Sequence, residues 1–256
     1  MKKIALFLSL LCILSFQHIA IAQLPEIRVS ESAWLGGLIA GGNASLSSAN
    51  TLGGWGHFSF GVSGALSRPS MLGNTATASS VSALLRIGAF KGLRLGPGVH
   101  GLGSLDLFLR LGRVNLNGLN SERSNIWGTG ARIGILRNSI ITPAVSVSVG
   151  YHSMGKMPFG SVWSHAIPAT QEAEFSTTSF RIDVSKNLFV VTPIAGIGAN
   201  RNRHTYWSGG IKVKQTKSES VFYGGVEWNF LLLKLGLEVG RTGGDTFGTM
   251  WFRLAL

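Results

Sequence analysis

The sequence predicts an all-β chain, a transmembrane antiparallel β-barrel of about twelve strands, with ten to fourteen admissible. Three observations predict it. Apolar and polar residues alternate in run after run, the period of a strand with two unlike faces. Hydrophobic residues make up 45% of the 256 and charged ones only 13%, and the mean hydropathy is positive. Yet past residue 22 no apolar run reaches the roughly 18 residues that a membrane helix needs. A closed barrel reconciles all three, because every second residue meets lipid while the backbone groups bond between strands.

The chain opens with a different signature. Met1-Lys2-Lys3 gives a positive start, Ile4 to Phe16 a short apolar run, and Ala20-Ile21-Ala22 a small-residue cleavage site before Gln23. Residues 1–22 therefore read as a secretory signal peptide. Cys12, the one cysteine, lies inside it behind Leu11, which does not suit a lipoprotein anchor. The mature chain then has no cysteine, which removes disulfides, thiolate catalysis and Cys-based metal sites. Lys2 and Lys3 leave with the leader, so the formal charge falls from +12 to +10. No basic cluster is interleaved with aromatics as a nucleic-acid reader requires, and nucleic acid is set aside as a partner.

Residues 23–54 do not alternate. Ala33, Leu35, Leu38 and Ile39 among glycines and alanines form a segment with three open readings, a plug folded into the barrel mouth, a poor first strand or simple disorder. From residue 55 the barrel begins. Phe58, Phe60 and Val62 alternate with Ser59, Gly61 and Ser63. Val81, Ala83, Leu85 and Ile87 follow, and then Leu105, Leu107, Leu109 and Leu111 against Asp106 and Arg110. Leu93 to Gly101 reads either as a strand or as a connection.

The stretch Trp127 to His152 is the repeating unit. Trp127, Thr129, Ala131, Ile133 and Ile135 share one face. Arg137-Asn138-Ser139 turns the chain, and Ile141, Pro143, Val145, Val147, Val149 and Tyr151 return on the same face, a hairpin. Trp127 and Tyr151 stand at the end away from the turn, where an aromatic girdle belongs. Its wording recurs. Arg86-Ile87, Arg132-Ile133 and Arg181-Ile182 are each followed by a basic residue and a turn former, Lys91-Gly92, Arg137-Asn138 and Lys186-Asn187, and then by Pro97, Pro143 and Pro193. The arginines are 46 and 49 residues apart and the prolines 46 and 50, a register of repeated hairpins. Pro143 and Pro193 fall inside expected strands and are read as bulges.

Ser153 to Glu174 reads as a long loop. Arms near Phe175 to Ser185, Leu188 to Ala199, Tyr206 to Lys214 and Ser220 to Phe230 continue the pattern, and Leu231 to Val239 forms the penultimate strand. The chain ends in Met250, Phe252, Leu254 and Leu256 alternating with Trp251, Arg253 and Ala255. With the leader and the alternating strands, this ending resembles the bacterial outer-membrane β-barrel class. The resemblance implies recognition by the barrel-insertion machinery, although Leu256 stands where the class usually has an aromatic.

Parity directs one set of charges inward: Arg86, Asp106, Arg110, Arg132, Arg181, Asp183, Glu227, Lys234 and Glu238. They form either a basic constriction that favours anions or a salt-bridge network bracing a narrow lumen. His152-Ser153 invites comparison with outer-membrane lipases, in which a His and a Ser stand two apart; here the spacing is one. Gly96 to Gly101 matches G-x-G-x-x-G without the helix that a nucleotide site needs. His57, His100, His165 and His204 lack metal-ligand spacing, and no cofactor is expected. Arg201-Asn202-Arg203 and Lys212-Val213-Lys214 read as solvated charge or as contacts to lipopolysaccharide phosphates. Outer-membrane lipid and lipopolysaccharide are the expected partners, with the oligomeric state open. The leading functional expectation is a passive channel or transporter for small solutes or hydrophobic ligands. The alternative is a closed structural or surface-interaction barrel acting through its loops, and an enzyme is not expected.

Overall fold

In the computed structural model, the described residues are 48–67, 70–71, 74–75, 77–96, 99–117, 122–159, 171–208, 211–243 and 245–255. They form fourteen strands: β1 (Phe58–Ser67), β2 (Ser70–Met71), β3 (Asn74–Thr75), β4 (Thr77–Phe90), β5 (Leu93–Gly96), β6 (Val99–Leu102), β7 (Ser104–Asn117), β8 (Glu122–Leu136), β9 (Ala144–Phe159), β10 (Gln171–Ser185), β11 (Val191–Ser208), β12 (Ile211–Phe230), β13 (Leu233–Thr242) and β14 (Asp245–Ala255). Ten of them close a barrel in the order β1-β14-β13-β12-β11-β10-β9-β8-β7-β4. The seam is antiparallel, from Ser59 opposite Ala255 to Ser67 opposite Phe247. Both chain ends of the barrel lie at one end, here called the near end, with the connections 91–103, 137–143, 186–190 and 231–232.

Ten strands replace the expected twelve, for two physical reasons. Leu93 to Gly101 lies in the small hairpin β5–β6, which pairs outside the barrel. The three arms expected between Leu188 and Phe230 are two strands, because β11 and β12 run 18 and 20 residues, far beyond the ~9–11 needed to cross a bilayer. The loop expected over Ser153 to Glu174 shrinks in the same way, since β9 continues to Phe159 and β10 starts at Gln171.

Alternation is carried through the sheet. Phe60, Val62, Leu109, Leu111, Val149, Phe222 and Leu237 are exposed on the outer face, while Ser63, Ser82, Arg110, Ser148, Asp183 and Glu227 are buried inside. The outer face is thus apolar and the lumen polar, the inverse of a water-soluble barrel and the arrangement that hydrocarbon surroundings favour. Trp127 and Tyr151 meet on the outer face with ring centroids 5.6 Å apart.

The recurrent arginine, basic and turn wording marks one structural place. Arg86, Arg132 and Arg181 stand inward on β4, β8 and β10, and Lys91, Arg137 and Lys186 follow in the near-end connections. Lys186 Nζ donates to the carbonyls of Ser139 at 2.8 Å, Ile140 at 2.8 Å and Thr142 at 3.2 Å, so one hairpin's turn holds the next. Replacing Lys186 by Met is expected to cost about 1 kcal/mol, since charge-assisted bonds are worth more than neutral ones but water competes here. The check is the urea midpoint for unfolding from vesicles; an unmoved midpoint would mean the backbone alone holds the turn.

Neither proline sits in a bulge, although the register of β8 against β9 shifts at Ile135, close to Pro143. Pro143 precedes β9, outside any strand. Pro193 sits within β11, in unbroken register with Val226 of β12. Its carbonyl accepts from Lys186 N–H, so its nitrogen faces β10 just past the last pair of that ladder, Ser185 with Ile194. The missing N–H falls where the ladder has ended and breaks no bond.

The wall is uneven. β12 pairs with β13 only from Val221 to Phe230, so its first ten residues, Ile211 to Ser220, run past the end of β13 at the far end, paired to β11 alone. β9 to β12 therefore stand taller than β13, β14 and β1.

Candidate functional site: the near-end layer of the lumen

Residues 48–57 lead into β1, and their first part enters the barrel. Ser48, Ala49 and Thr51 are buried. This bears on residues 23–54: the last seven form a segment inside the lumen mouth, while 23–47 lie outside the described residues. Gly53 and Gly54 carry it around with φ of +107° and +109°, values that a side chain strongly disfavours. The wall makes room as well, because a Cβ on inward-facing Gly88 would overlap the Gly54 carbonyl oxygen.

The wall grips this segment at nearly every residue. Arg132 Nη1 donates to the Ser48 carbonyl at 2.8 Å. Ala49 N–H donates to Ser185 Oγ at 2.9 Å. Arg86 Nη2 donates to the Asn50 carbonyl at 3.3 Å, and Asn50 Oδ1 accepts from Asn138 N–H at 2.9 Å. The Thr51 and Ser104 hydroxyls bond at 2.7 Å. Leu52 N–H is shared between both oxygens of Asp106, at 3.1 and 3.0 Å.

The gripping groups are locked by three buried ion pairs. Arg86 Nε lies 3.4 Å from Asp106 Oδ2, Arg132 Nη2 lies 3.3 Å from Asp183 Oδ2, and Arg253 Nη2 lies 2.8 Å from Glu227 Oε1. Arg253 also donates from Nε to Glu227 Oε2 at 3.1 Å, a forked geometry that fixes both partners. Trp251 Nε1 adds a bond to the same carboxylate at 3.3 Å. The first pair joins neighbouring strands β4 and β7. The other two reach across an intervening strand, and small inward residues let them pass: Ser146 and Ser148 of β9 stand between β8 and β10, and Gly236 of β13 stands between Glu227 and Trp251.

Farther along the lumen lies a second layer. Tyr223 Oη donates to Asp183 Oδ1, and Arg181 packs over the Tyr223 ring, 5.1 Å from its centroid. Arg110 Nε donates to Ser82 Oγ at 2.9 Å. His152 stacks on Phe108 over Gly128, where any side chain would overlap its imidazole. A third layer at the far end links Thr177 to Asn202, Asn202 to Glu219 and Glu219 to Lys217.

The nine residues placed inward by sequence parity all face the lumen. Arg86, Asp106, Arg132, Asp183 and Glu227 belong to the near-end layer, and Arg110, Arg181 and Glu238 are buried beyond it. Lys234 is only partly buried. Sequence reasoning missed Arg253, although the parity of Met250, Phe252 and Leu254 puts it inside; it also missed Tyr223, Trp251 and Ser48. His152 and Ser153 are not brought together, since successive strand residues face opposite sides and His152 is the inward one. Gly96 and Gly101 lie in the β5–β6 hairpin. His165 lies outside the described residues.

No protein-family model matches the sequence, and no curated protein matches it. Solved structures do. The translocator domain of the autotransporter NalP from Neisseria meningitidis is 10% identical, with 78% of this chain and 86% of that one covered, at a TM-score of 0.50. An outer-membrane channel from Pseudomonas putida F1 is 11% identical over 79% and 96% of the two chains, with a TM-score of 0.44. The β domain of the Bordetella autotransporter BrkA is 13% identical over 78% and 99%, also at 0.44. At 10% identity the likeness to the NalP translocator domain is one of architecture, and it agrees with the closed sheet, apolar exterior and polar lumen: the chain has the outer-membrane β-barrel fold.

Proposed function

We propose that this chain is an outer-membrane barrel, exported behind a cleaved leader of residues 1–22, whose lumen is shut at rest and which works through its surface rather than as an open pore. The observation that carries this is the near-end layer, where three buried ion pairs hold residues 48–52 across the mouth. Ten strands are only two more than the eight whose side chains fill the interior, so a charged network of this size leaves little room for solute. The working surface is then the tall wall of β9 to β12, with Arg201, Arg203, Lys212 and Lys214 exposed on its outer face, set among outer-membrane lipid and lipopolysaccharide. Delivery by the barrel-insertion machinery fits the apolar alternation of β14. No catalytic role is assigned.

A second reading is favoured by one observation. Residues 48–52 are joined to the wall by hydrogen bonds, and inward Gly88 and Gly134 leave a slot for them. Withdrawal of the segment would turn the same barrel into a channel lined by Arg86, Asp106, Arg132 and Asp183, the solute pathway first expected from the sequence. Single-channel recording separates the two. Intact mature protein in a planar bilayer is expected to be silent, and steady conductance from folded, heat-modifiable protein would overturn the shut-lumen reading.

A further inference from the structure

The lipid-facing wall carries large apolar side chains at most positions, and small residues such as Gly64, Gly248 and the pair on β11 and β12 interrupt it. On the outer face, Ala195 of β11 pairs with Gly224 of β12, and Gly224 pairs with Val239 of β13. A Cβ on Gly224 would meet only one backbone oxygen, 3.8 Å away, so the space above it is open. Ala195 lines an apolar trough of about 740 Å³, walled by Ile182, Val184, Ile197, Phe222 and Val239 and ending at Arg241 and Thr246, and Gly224 stands between two of its lining residues, Ala195 and Val239. The trough is cut into the sheet by the choice of residue, since neighbouring outward positions keep their bulk.

Its polar end fixes its orientation. Arg241 pairs with Thr246 across the tight turn that joins β13 and β14 at the far end. With the chain ends and the recurrent basic turns at the near end, the far end is the outward-facing one, so the trough runs obliquely from Val184 toward the near end of β10 up to Arg241 at the outer-leaflet rim. Beyond it, Arg201 and Arg203 of β11 and Lys214 of β12 are exposed on the same face, with Glu174 of β10 as the outward carboxylate on that stretch. Arg201 is four residues past Ile197, about 13 Å at the rise of a strand. An apolar trough opening onto a band of cations is complementary to an amphiphile with an anionic head.

We propose that this trough seats one phosphate-bearing glycolipid of the outer leaflet, with an acyl chain over Gly224 and a phosphate against Arg241. The assignment rests on the outer-membrane reading above and adds to it a specific lipid partner. Guanidinium binding to phosphate supplies direction and selectivity, while the trough supplies apolar burial that a bulky wall would deny.

The test is native mass spectrometry of the full mature chain, folded in micelles and offered diphosphoryl lipid A, phosphatidylglycerol or phosphatidylethanolamine. One lipid A is expected to be retained about tenfold more strongly than either phospholipid, a difference of ~1.4 kcal/mol. Gly224→Phe, which fills the floor, and Arg241→Gln should each remove that preference, while Leu109→Phe, elsewhere on the lipid face, should leave it intact. Should Gly224→Phe fail to fold, Ala195→Phe fills the same floor from the adjoining strand. Equal retention of all three lipids, or a preference untouched by both trough variants, would overturn the seat. A chain that does not insert into vesicles at all would instead sink the membrane reading beneath it.

Discussion

Arg253→Ala is expected to destabilise the folded barrel by about 3–5 kcal/mol, because it strands Glu227 as an uncompensated buried carboxylate. Arg253 supplies three donor contacts to Glu227, at 3.1, 2.8 and 2.9 Å, and both residues are buried. It stands on β14, whose far side is the seam with β1, so the loss falls on the strand that closes the barrel. The measurement is the urea midpoint for unfolding from lipid vesicles, followed by tryptophan fluorescence. Arg253→Met combined with Glu227→Leu should recover much of the loss, since replacing both partners of a buried pair with apolar groups is often neutral or better. A cost below about 1 kcal/mol for Arg253→Ala would show that water reaches Glu227, and the shut-lumen reading would go with it.

Gly88→Leu is expected to expel residues 48–54 from the mouth while leaving the barrel folded. The leucine side chain points inward onto the Gly54 carbonyl and its backbone neighbours, so it occupies the room that the turn needs. Expulsion breaks the bonds from Arg132, Arg86 and Asp106, worth about 1.5–3 kcal/mol each when a charged group is involved. Limited proteolysis of folded protein should then cleave ahead of Phe58 at least about a hundredfold faster than in the parent, in keeping with the loss of two such bonds. Bilayer recording on the same variant reports whether the emptied mouth conducts. A variant that stays protected, with its heat-modifiable mobility intact, would mean that the segment is held by something other than this slot.

Much of this was legible in the chain, and the division follows from physics. Parity is local, so the inward side of Arg86, Asp106, Arg110, Arg132, Arg181, Asp183, Glu227 and Glu238 could be read directly. Pairing is not local. Nothing in the sequence links Arg132 to Asp183 in preference to Asp106, because that choice depends on register across β9 and on the smallness of Ser146 and Ser148. Strand length was misjudged where polar residues alternate with polar residues. Asn200 to His204 looks like a basic loop, yet Asn200, Asn202 and His204 face in while Arg201 and Arg203 face out, and β11 passes through without a break. Arg253 is masked by its setting, in a stretch whose apolar residues read as a targeting signal. The plug reading of residues 23–54 had no residue-level support, since the anchors of residues 48–52 are scattered over β4, β7, β8, β10 and β14.

That scatter orders events in time. Ser48 is bound by Arg132, 84 residues away along the chain, and by Arg253, 205 residues away. The segment that precedes the strands can therefore be fully secured only after the last strand has docked against β1. Contacts of such long sequence separation form late and slowly. Capture of the Ser48 end marks completion of the barrel, and an incompletely closed chain would still leave that end loose, a difference that a protease reads.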